Sequence, residues 1–414
     1  MHAKAQANSD RQQVPTGAEV DLAAARLAER GGVLMIMNSM SQGGGDRVAV
    51  LLANGFAGKG IPTRIVLMRE CGEPEIRALI DPAVSVVSGG KPLGLQLPGR
   101  SQPLGHRHLE RFRGIRLVRS EIDAARPAVV LGASDNMALT TALVRRRQDQ
   151  QILFAFKLTN RLSRPNIGPG RRVFRLNLFK FIFDRLDLVL TLSEGERSHV
   201  LGVHPGRGDL LKTVPNPYVT CEMLADAQQK FPQGPSRLLA AGRMVPQKRF
   251  DVLLRAFAHV QHRDSRLTIL GDGPQRGELE RLAKSLGIED RVAMPGYVGD
   301  IVPWLKKSRL FVLSSDYEGL PAVVVEALAT NVPVASTESF FAARELLGSS
   351  PSCAVVPIGN SEALAGAIDR CLNTDDCADL RRLAEPYRVD NAIDAHIIAL
   401  ADATDRQKRT DKPV

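Results

Sequence analysis

The sequence predicts an α/β protein made of two doubly wound, Rossmann-like domains that face each other across a cleft. Three observations carry this. Short apolar runs alternate with helical patterns along nearly the whole chain. The runs are continuous in Val, Ile and Leu rather than alternating with polar residues, as expected of parallel strands covered on both faces. The length, 414 residues, corresponds to two or three domains at about 150 residues each.

The elements follow in order. GGVLMIMNS (31–39), RIVLM (64–68), AVVLGAS (128–134), ILFAF (152–156) and LDLVLTLS (186–193) read as buried strands, with a helix starting near Arg47. RLLAAG (237–242), RLTILG (266–271), RLFVLSS (309–315), VPVAST (332–337) and CAVVP (353–357) repeat the theme, separated by the helical patterns FDVLLRAFAHVQ, GELERLAKSLG and PAVVVEALA. Each half holds five or more strands, enough for its own sheet. The stretch His204–Tyr218 is rich in Gly and Pro and interrupts the pattern. The expected divisions are an N-terminal extension (1–30), an N-terminal domain (31–205), a C-terminal domain (206–387), and a C-terminal helix and tail (388–414) able to pack back on the N-terminal domain. Residues 1–17 and those from Asp405 onward read as disordered, being polar and poor in apolar anchors. Ligands in open α/β sheets bind at the carboxyl ends of strands, here in the cleft.

Composition narrows the class. Apolar residues make up 44% and charged residues 24%, which excludes bulk disorder and a small disulfide scaffold. Five scattered cysteines (Cys71, Cys221, Cys353, Cys371 and Cys377) form no CxxC or Cys/His cluster. No metal site is expected, and a reducing compartment fits. The first residues lack the apolar core of a secretory signal, and no stretch reaches the about 18–20 apolar residues that span a bilayer. The reading is cytoplasmic, peripheral on the inner face of the cell membrane. Net charge is +10. Residues 1–200 hold 29 lysines and arginines against 18 acids, and residues 201–414 hold 26 against 27. The two halves therefore face different partners.

Four motifs carry chemistry. Gly242 to Phe250 follows a strand and opens a helix, placing Arg243 and Lys248 at a helix N-terminus, an arrangement suited to an anion or equally to a solvated basic loop. Gly271-Asp272-Gly273-Pro274 also follows a strand; its glycines allow close backbone approach to a ligand, and it also serves as a plain turn. Glu318-Gly319-Leu320-Pro321 leads into an otherwise apolar helix that contains Glu326. A carboxylate in such a helix is costly unless paired or liganded. Gly43-Gly44-Gly45-Asp46-Arg47, after the first strand, is a phosphate-permissive loop or a flexible turn.

In this order and spacing, the motifs resemble the large glycosyltransferase family 4 of the GT-B fold, over roughly residues 31–400 and most closely over 237–347. The family's G-R-x-x-x-Q-K pattern stands as Gly242, Arg243, Gln247 and Lys248, and its E-x7-E motif as Glu318 and Glu326. GDGP lies at 271–274, the strand edge at Gly296-Tyr297-Val298, and interdomain segments at Ser193–Arg197 and Val214–Pro217. The resemblance implies a retaining, metal-independent hexosyl or N-acetylhexosaminyl transferase (EC 2.4). It would use a UDP- or GDP-sugar as co-substrate, with no tightly bound cofactor, and serve cell-surface or extracellular polysaccharide or lipopolysaccharide synthesis. It implies that Arg243 and Lys248 hold the departing diphosphate, where negative charge develops. Glu318 would lie by the transferred sugar and Glu326 on the ribose. Gly44, Gly45, Gly271, Asp272, Gly319 and Leu320 would line the donor, with Val298 at the base.

Two segments depart from the family. Relatives place a histidine at the end of an N-domain strand; here the stretch is Phe156-Lys157-Leu158-Thr159-Asn160, leaving Thr159, Asn160 or Lys157 to take the role. Relatives often carry Gly-Pro before the Arg-Glu at 344–345; here Phe340, Phe341 and Ala342 precede it.

The basic excess concentrates in Arg100–Arg119, which includes His106 and His108, and in Asn160–Arg185, interleaved with phenylalanines. His106 is an acceptor-side candidate or a solvated residue. The basic surface suits an anionic membrane or a glycan or polyprenyl-linked acceptor. Alternatively Phe174, Leu178 and Ile182 form one buried helical stripe. Nucleic acid is not expected, since no binding motif accompanies the charge. The competing function is a catalytically silent partner subunit that binds glycan or lipid.

Overall fold

The computed structural model describes residues 15–40, 44–69, 74–89, 104–162, 168–225, 235–374 and 379–410; at 74–75, 104–109 and 408–410 only the backbone is described. Gly43, Cys71, Cys377 and Arg164 lie outside them, as does the side chain of His106.

The N-terminal half runs α1 (Gly17–Glu29), β1 (Val33–Met37), α2 (Gly44–Gly58), β2 (Thr63–Leu67), α3 (Pro74–Ala78), β3 (Ser85–Ser88), α4 (Leu104–Ala125), β4 (Val129–Gly132), α5 (Ala138–Val144), β5 (Leu153–Lys157), α6 (Pro169–Phe183), β6 (Leu188–Thr191), α7 (Glu194–Val203) and β7 (Leu211–Thr213). Its seven strands are ordered β3-β2-β1-β4-β5-β6-β7, all parallel. The C-terminal half runs α8 (Cys221–Ala225), β8 (Arg237–Ala241), α9 (Phe250–His259), β9 (Arg266–Leu270), α10 (Arg276–Ser285), β10 (Val292–Gly296), α11 (Val302–Leu305), β11 (Leu310–Leu313), α12 (Ala322–Ala329), β12 (Val334–Thr337), α13 (Ala343–Leu347), β13 (Ala354–Val356), α14 (Ser361–Asn373) and α15 (Arg381–Ala384). Its six strands are ordered β10-β9-β8-β11-β12-β13, also all parallel. Each sheet reverses its winding direction once, at β1/β4 and at β8/β11. These switch points open crevices at the strand carboxyl ends.

Both faces of both sheets are covered, giving four apolar layers. In the N-terminal domain α1, α2 and a last helix, α16 (Val389–Thr410), cover one face, and α4, α5 and α6 the other. In the C-terminal domain α9, α10 and α14 cover one face, and α8, α12, α13 and α15 the other.

Three expectations are corrected. β7 pairs with β6, so the N-terminal sheet continues past the boundary expected at residue 205. Three residues with one lysine carry too little apolar pattern to read as a strand. Asp405 lies within α16 and pairs with Arg26 of α1 (3.0 Å) and with Arg30 just after it (3.5 Å), so the helix persists beyond the point where disorder was expected. On α6 the buried residues are Phe179, Ile182 and Phe183, while Phe174 is 71% exposed. The helix is turned away from the expected Phe174–Leu178–Ile182 stripe.

α16 leaves the C-terminal domain and crosses to the N-terminal one. The crossing is marked by a parallel bridge between Val219 and Arg388. Alternation along β5 points Lys157 to the α16 side, where its Nζ lies 2.7 Å from His396 Nε2. His396 Nδ1 donates to the Ala392 carbonyl at 2.7 Å, which leaves Nε2 as acceptor. Both side chains are fully buried, and burial pushes the lysine down to about 7. His396→Leu would strand the lysine without this acceptor and is expected to destabilise by about 1–3 kcal/mol. Lys157→Met combined with His396→Leu removes both groups and should recover most of that loss, as read by urea unfolding.

Candidate active site

The site is assembled from loops at the carboxyl ends of β8, β9 and β11. After β8, Gly242 N–H donates to Leu270 O (2.9 Å), Met244 N–H to Asp272 O (2.8 Å) and Gln275 N–H to Met244 O (3.1 Å). The loops after β8 and β9 are thus zipped backbone to backbone. Gly271 has φ +119°, and a Cβ there would stand 2.1 Å from the Gly242 carbonyl. Only glycine fits so close an approach with that backbone. Asp272 is exposed and accepts from Gly273 N–H at 2.7 Å. Arg243 is exposed beside it.

The loop after β8 and the loop after β11 are joined more tightly. Lys248 Nζ lies 2.7 Å from Glu318 Oε1. Ser315 Oγ donates to the same oxygen at 2.7 Å. Gln247 Nε2 donates to Tyr317 O (2.8 Å), Ser314 Oγ to Lys248 O (2.8 Å) and Asp316 N–H to Gln247 O (2.9 Å). Arg249, just before α9, adopts a left-handed φ of 49° and is held by Asp251 at 3.1 Å and Asp316 at 3.0 Å. Glu318 is buried and Lys248 half-buried, so their attraction is only partly screened by water.

Glu326 sits on α12 and is 8% exposed. Burial pushes its carboxyl up to about 7; Arg47 of α2, from the other domain, opposes the rise and Asp300 adds to it. Leu320 O accepts from the Tyr218 hydroxyl at 2.9 Å, and that hydroxyl accepts from Asn216 Nδ2 at 2.6 Å. Val298 and Leu320 share one apolar layer.

The N-terminal domain closes on this array. Gly44 and Gly45 open α2 at the carboxyl end of β1. A Cβ on Gly319 would stand 2.0 Å from the Thr159 carbonyl, so the loop after β11 touches the loop after β5. Thr159 N–H donates to Asp135 Oδ1 at 3.0 Å. Thr159 and Asn160 are half-buried at this contact, whereas Lys157 faces α16 and not the cleft.

Asp135 was not singled out by the motifs. Burial pushes its carboxyl up, opposed by hydrogen bonds from Thr159 and Asn160. Its signal was positional: a carboxylate immediately after β4, at the switch point of the first sheet. No group of three His, Cys, Asp or Glu side chains able to hold a metal ion occurs among the described residues.

Comparison with known proteins bears on this cleft. Residues 224–387 match the family described as glycosyl transferases group 1. That match spans the loops carrying Arg243, Lys248 and Glu318 and the helix carrying Glu326. Among curated relatives, the chain is 26% identical over 204 residues to the N-acetylgalactosamine-N,N'-diacetylbacillosaminyl-diphospho-undecaprenol 4-alpha-N-acetylgalactosaminyltransferase of Campylobacter jejuni, covering 48% of this chain and 54% of that one. It is 35% identical over 133 residues to the lipopolysaccharide core biosynthesis glycosyltransferase LpsE of Rhizobium meliloti, covering 32% and 38%. The chain thus spans about half or less of the length of these relatives. Among solved structures, Anabaena HepE in complex with UDP and glucose superposes with TM-score 0.63 at 17% identity, covering 91% of this chain and 98% of that one. The apo form of the lipopolysaccharide outer core galactosyltransferase WaaB gives 0.63 at 16% identity, covering 89% and 98%. The architecture is the GT-B fold: two Rossmann-like domains across a cleft.

Glu326 holds its proton more tightly folded (about 7) than at its ordinary value of 4.5. The associated stabilisation is complete below pH 4.5 and is lost as pH rises through 7. Glu326→Gln is therefore expected to remove a decline in stability of at most about 3 kcal/mol across that window, measured by thermal unfolding of the ligand-free protein at a series of pH values.

Proposed function

We propose that the chain is a retaining glycosyltransferase of family 4 that moves a hexosyl or N-acetylhexosaminyl unit from a UDP- or GDP-sugar to a glycan or polyprenyl-linked acceptor. The observation that carries this reading is the Lys248–Glu318 pair at 2.7 Å, set where the loops after β8 and β11 meet opposite the other domain. Breaking an anomeric C–O bond leaves positive charge on the sugar and negative charge on the diphosphate. A cation and a carboxylate in contact place both counter-charges at one point, and protein cations then do the work of a divalent metal.

In this reading Arg243 and Lys248 hold the diphosphate as it departs. Glu318 is oriented by Ser315 and Lys248 toward the transferred sugar. Glu326, half protonated near neutral pH, binds the ribose hydroxyls, and backbone at Val298 meets the base. Retention follows if the acceptor attacks the face the diphosphate leaves, with a phosphate oxygen taking the acceptor proton. No protein base is then required, consistent with a β5 end that bears Thr159 and Asn160 where relatives carry histidine. The UDP in the HepE complex and the undecaprenol-linked substrate named for the Campylobacter relative support the two ligand classes.

Lys248→Ala and Arg243→Ala should each raise the barrier by about 2–4 kcal/mol, read as kcat in a panel of UDP- and GDP-sugars scored for nucleotide release. Near-normal turnover in either variant would overturn the assignment.

The acceptor side carries a surface suited to anionic lipid. On α6, Val173 (58%), Phe174 (71%) and Phe181 (40%) are exposed among Arg171, Arg172, Arg175 and Lys180, and Arg185, just after the helix, stacks on Phe181 at 4.2 Å. No described helix is long and apolar enough to cross a membrane. A peripheral position on the inner face of the cell membrane, in the cytoplasm, fits these residues. Phe174→Asp should weaken partitioning onto anionic vesicles at low salt, with neutral vesicles as control; equal binding of the wild type to both vesicle types would sink the idea.

A further inference from the structure

Phe341 belongs to the C-terminal domain, in the loop between β12 and α13. Its ring nevertheless contacts two side chains of the N-terminal domain. Arg161 stacks its guanidinium 4.4 Å from the ring centroid. The His199 imidazole lies with its centroid 5.0 Å away, tilted by 33°. Beneath them, at the start of α7, Gly195 leaves room for the loop: a Cβ there would come within 3.1 Å of Phe341 Cβ. Arg161 Nη2 also reaches the Glu338 carbonyl at 3.4 Å.

The neighbouring residue divides the labour. Phe340 is 1% exposed and anchors the loop in its own domain's apolar layer, while Phe341 is directed outward across the domain boundary. The grip is a cation–π contact with Arg161 and a tilted ring contact with His199, both short-ranged and directional. Opening the domains by a few ångströms would break both at once. Burial and the cations Arg161 and Arg172 hold His199 below its ordinary range, so the imidazole is neutral at neutral pH and does not repel the guanidinium.

We propose that Phe341 is a positioning residue: a bolt gripped by Arg161 and His199 that holds the two domains closed without ligand and keeps Gly319 against Thr159. Its effect on turnover rests on the transferase reading above; its effect on domain geometry does not. The bolt lies outside the Lys248–Glu318 site, so it acts on catalysis only through the spacing of the domains.

The test combines small-angle scattering of the ligand-free full chain with kinetics. Wild-type protein should scatter as a compact body, near the about 22 Å radius of gyration expected for this length. Phe341→Ala should enlarge it at unchanged melting temperature, and His199→Ala, approaching from the other domain, should do the same to a smaller extent. Phe341→Tyr keeps the ring and should restore the compact form. In turnover, Phe341→Ala should lower kcat by about 10–100-fold, the scale for misplaced reacting groups, with a smaller change in nucleotide-sugar affinity, because the loops after β8, β9 and β11 belong to one domain and only the start of α2 comes from the other. Identical scattering of Phe341→Ala and wild type would overturn the proposal, as would failure of Phe341→Tyr to restore what Phe341→Ala loses. If Phe341→Ala expands the protein but neither form transfers a sugar, the bolt stands and the transferase reading falls. If the wild type transfers sugar and Phe341→Ala neither expands nor slows, the reverse holds.

Discussion

The closeness of the two domains is limited by one backbone contact, Gly319 against the Thr159 carbonyl. A Cβ at 2.0 Å has no flexible side chain to push aside, so the presence of glycine is what lets the loop after β11 touch the loop after β5. The other cross-cleft relations lie within this separation: Arg47 near enough to influence Glu326, and the ring of Phe341 on Arg161. A single added methyl would shift all of them together, because each connects elements that are rigid within their own sheet.

Electrostatics in the cleft are local. The C-terminal half is nearly neutral, yet it sets Lys248 against Glu318 and leaves Arg243 exposed one strand-end away. Buried ionisable groups form a second set on the N-terminal side. Burial pushes Glu196 up to about 8, and its Oε2 accepts from Leu192 N–H at 2.7 Å. Asp135 lies close by, with one carboxylate oxygen bonded to Thr159 N–H. The large positive excess of residues 1–200 is mostly elsewhere, on α4 and α6, where it faces solvent. Net charge and site chemistry are thus separate properties of this chain.

Much of the fold was legible because buried parallel strands announce themselves as unbroken Val, Ile and Leu. β1, β4 and β6 in one half, and β8, β9, β11, β12 and β13 in the other, fall within the runs that predicted them, and β2 and β5 overrun theirs by one residue. β3 and β7 are edge strands of four and three residues with little burial to pattern them. The face of α6 was misjudged because phenylalanines at 174, 179, 181 and 183 surround much of the helix, and periodicity alone does not say which side meets the sheet. The residues proposed for the donor side stand out in the sequence because their motifs are contiguous. Asp135 and the Arg161–His199–Phe341 stack do not, because their partners come from distant segments and meet only once both sheets are built. The altered loop at 340–342 was visible as a departure; what it contacts was not.

The return of α16 orders events during synthesis. This helix supplies Ile393, Ile397, Leu400 and Ala403 to the layer over β1, β4 and β5, yet it follows the whole C-terminal domain in the chain. While the ribosome makes that second domain, one face of the first sheet has α1 and α2 but lacks α16, and Lys157 lacks His396. The half that is translated first is therefore completed last, and the interval between is when the apolar strip that α16 will cover is most open to misassociation.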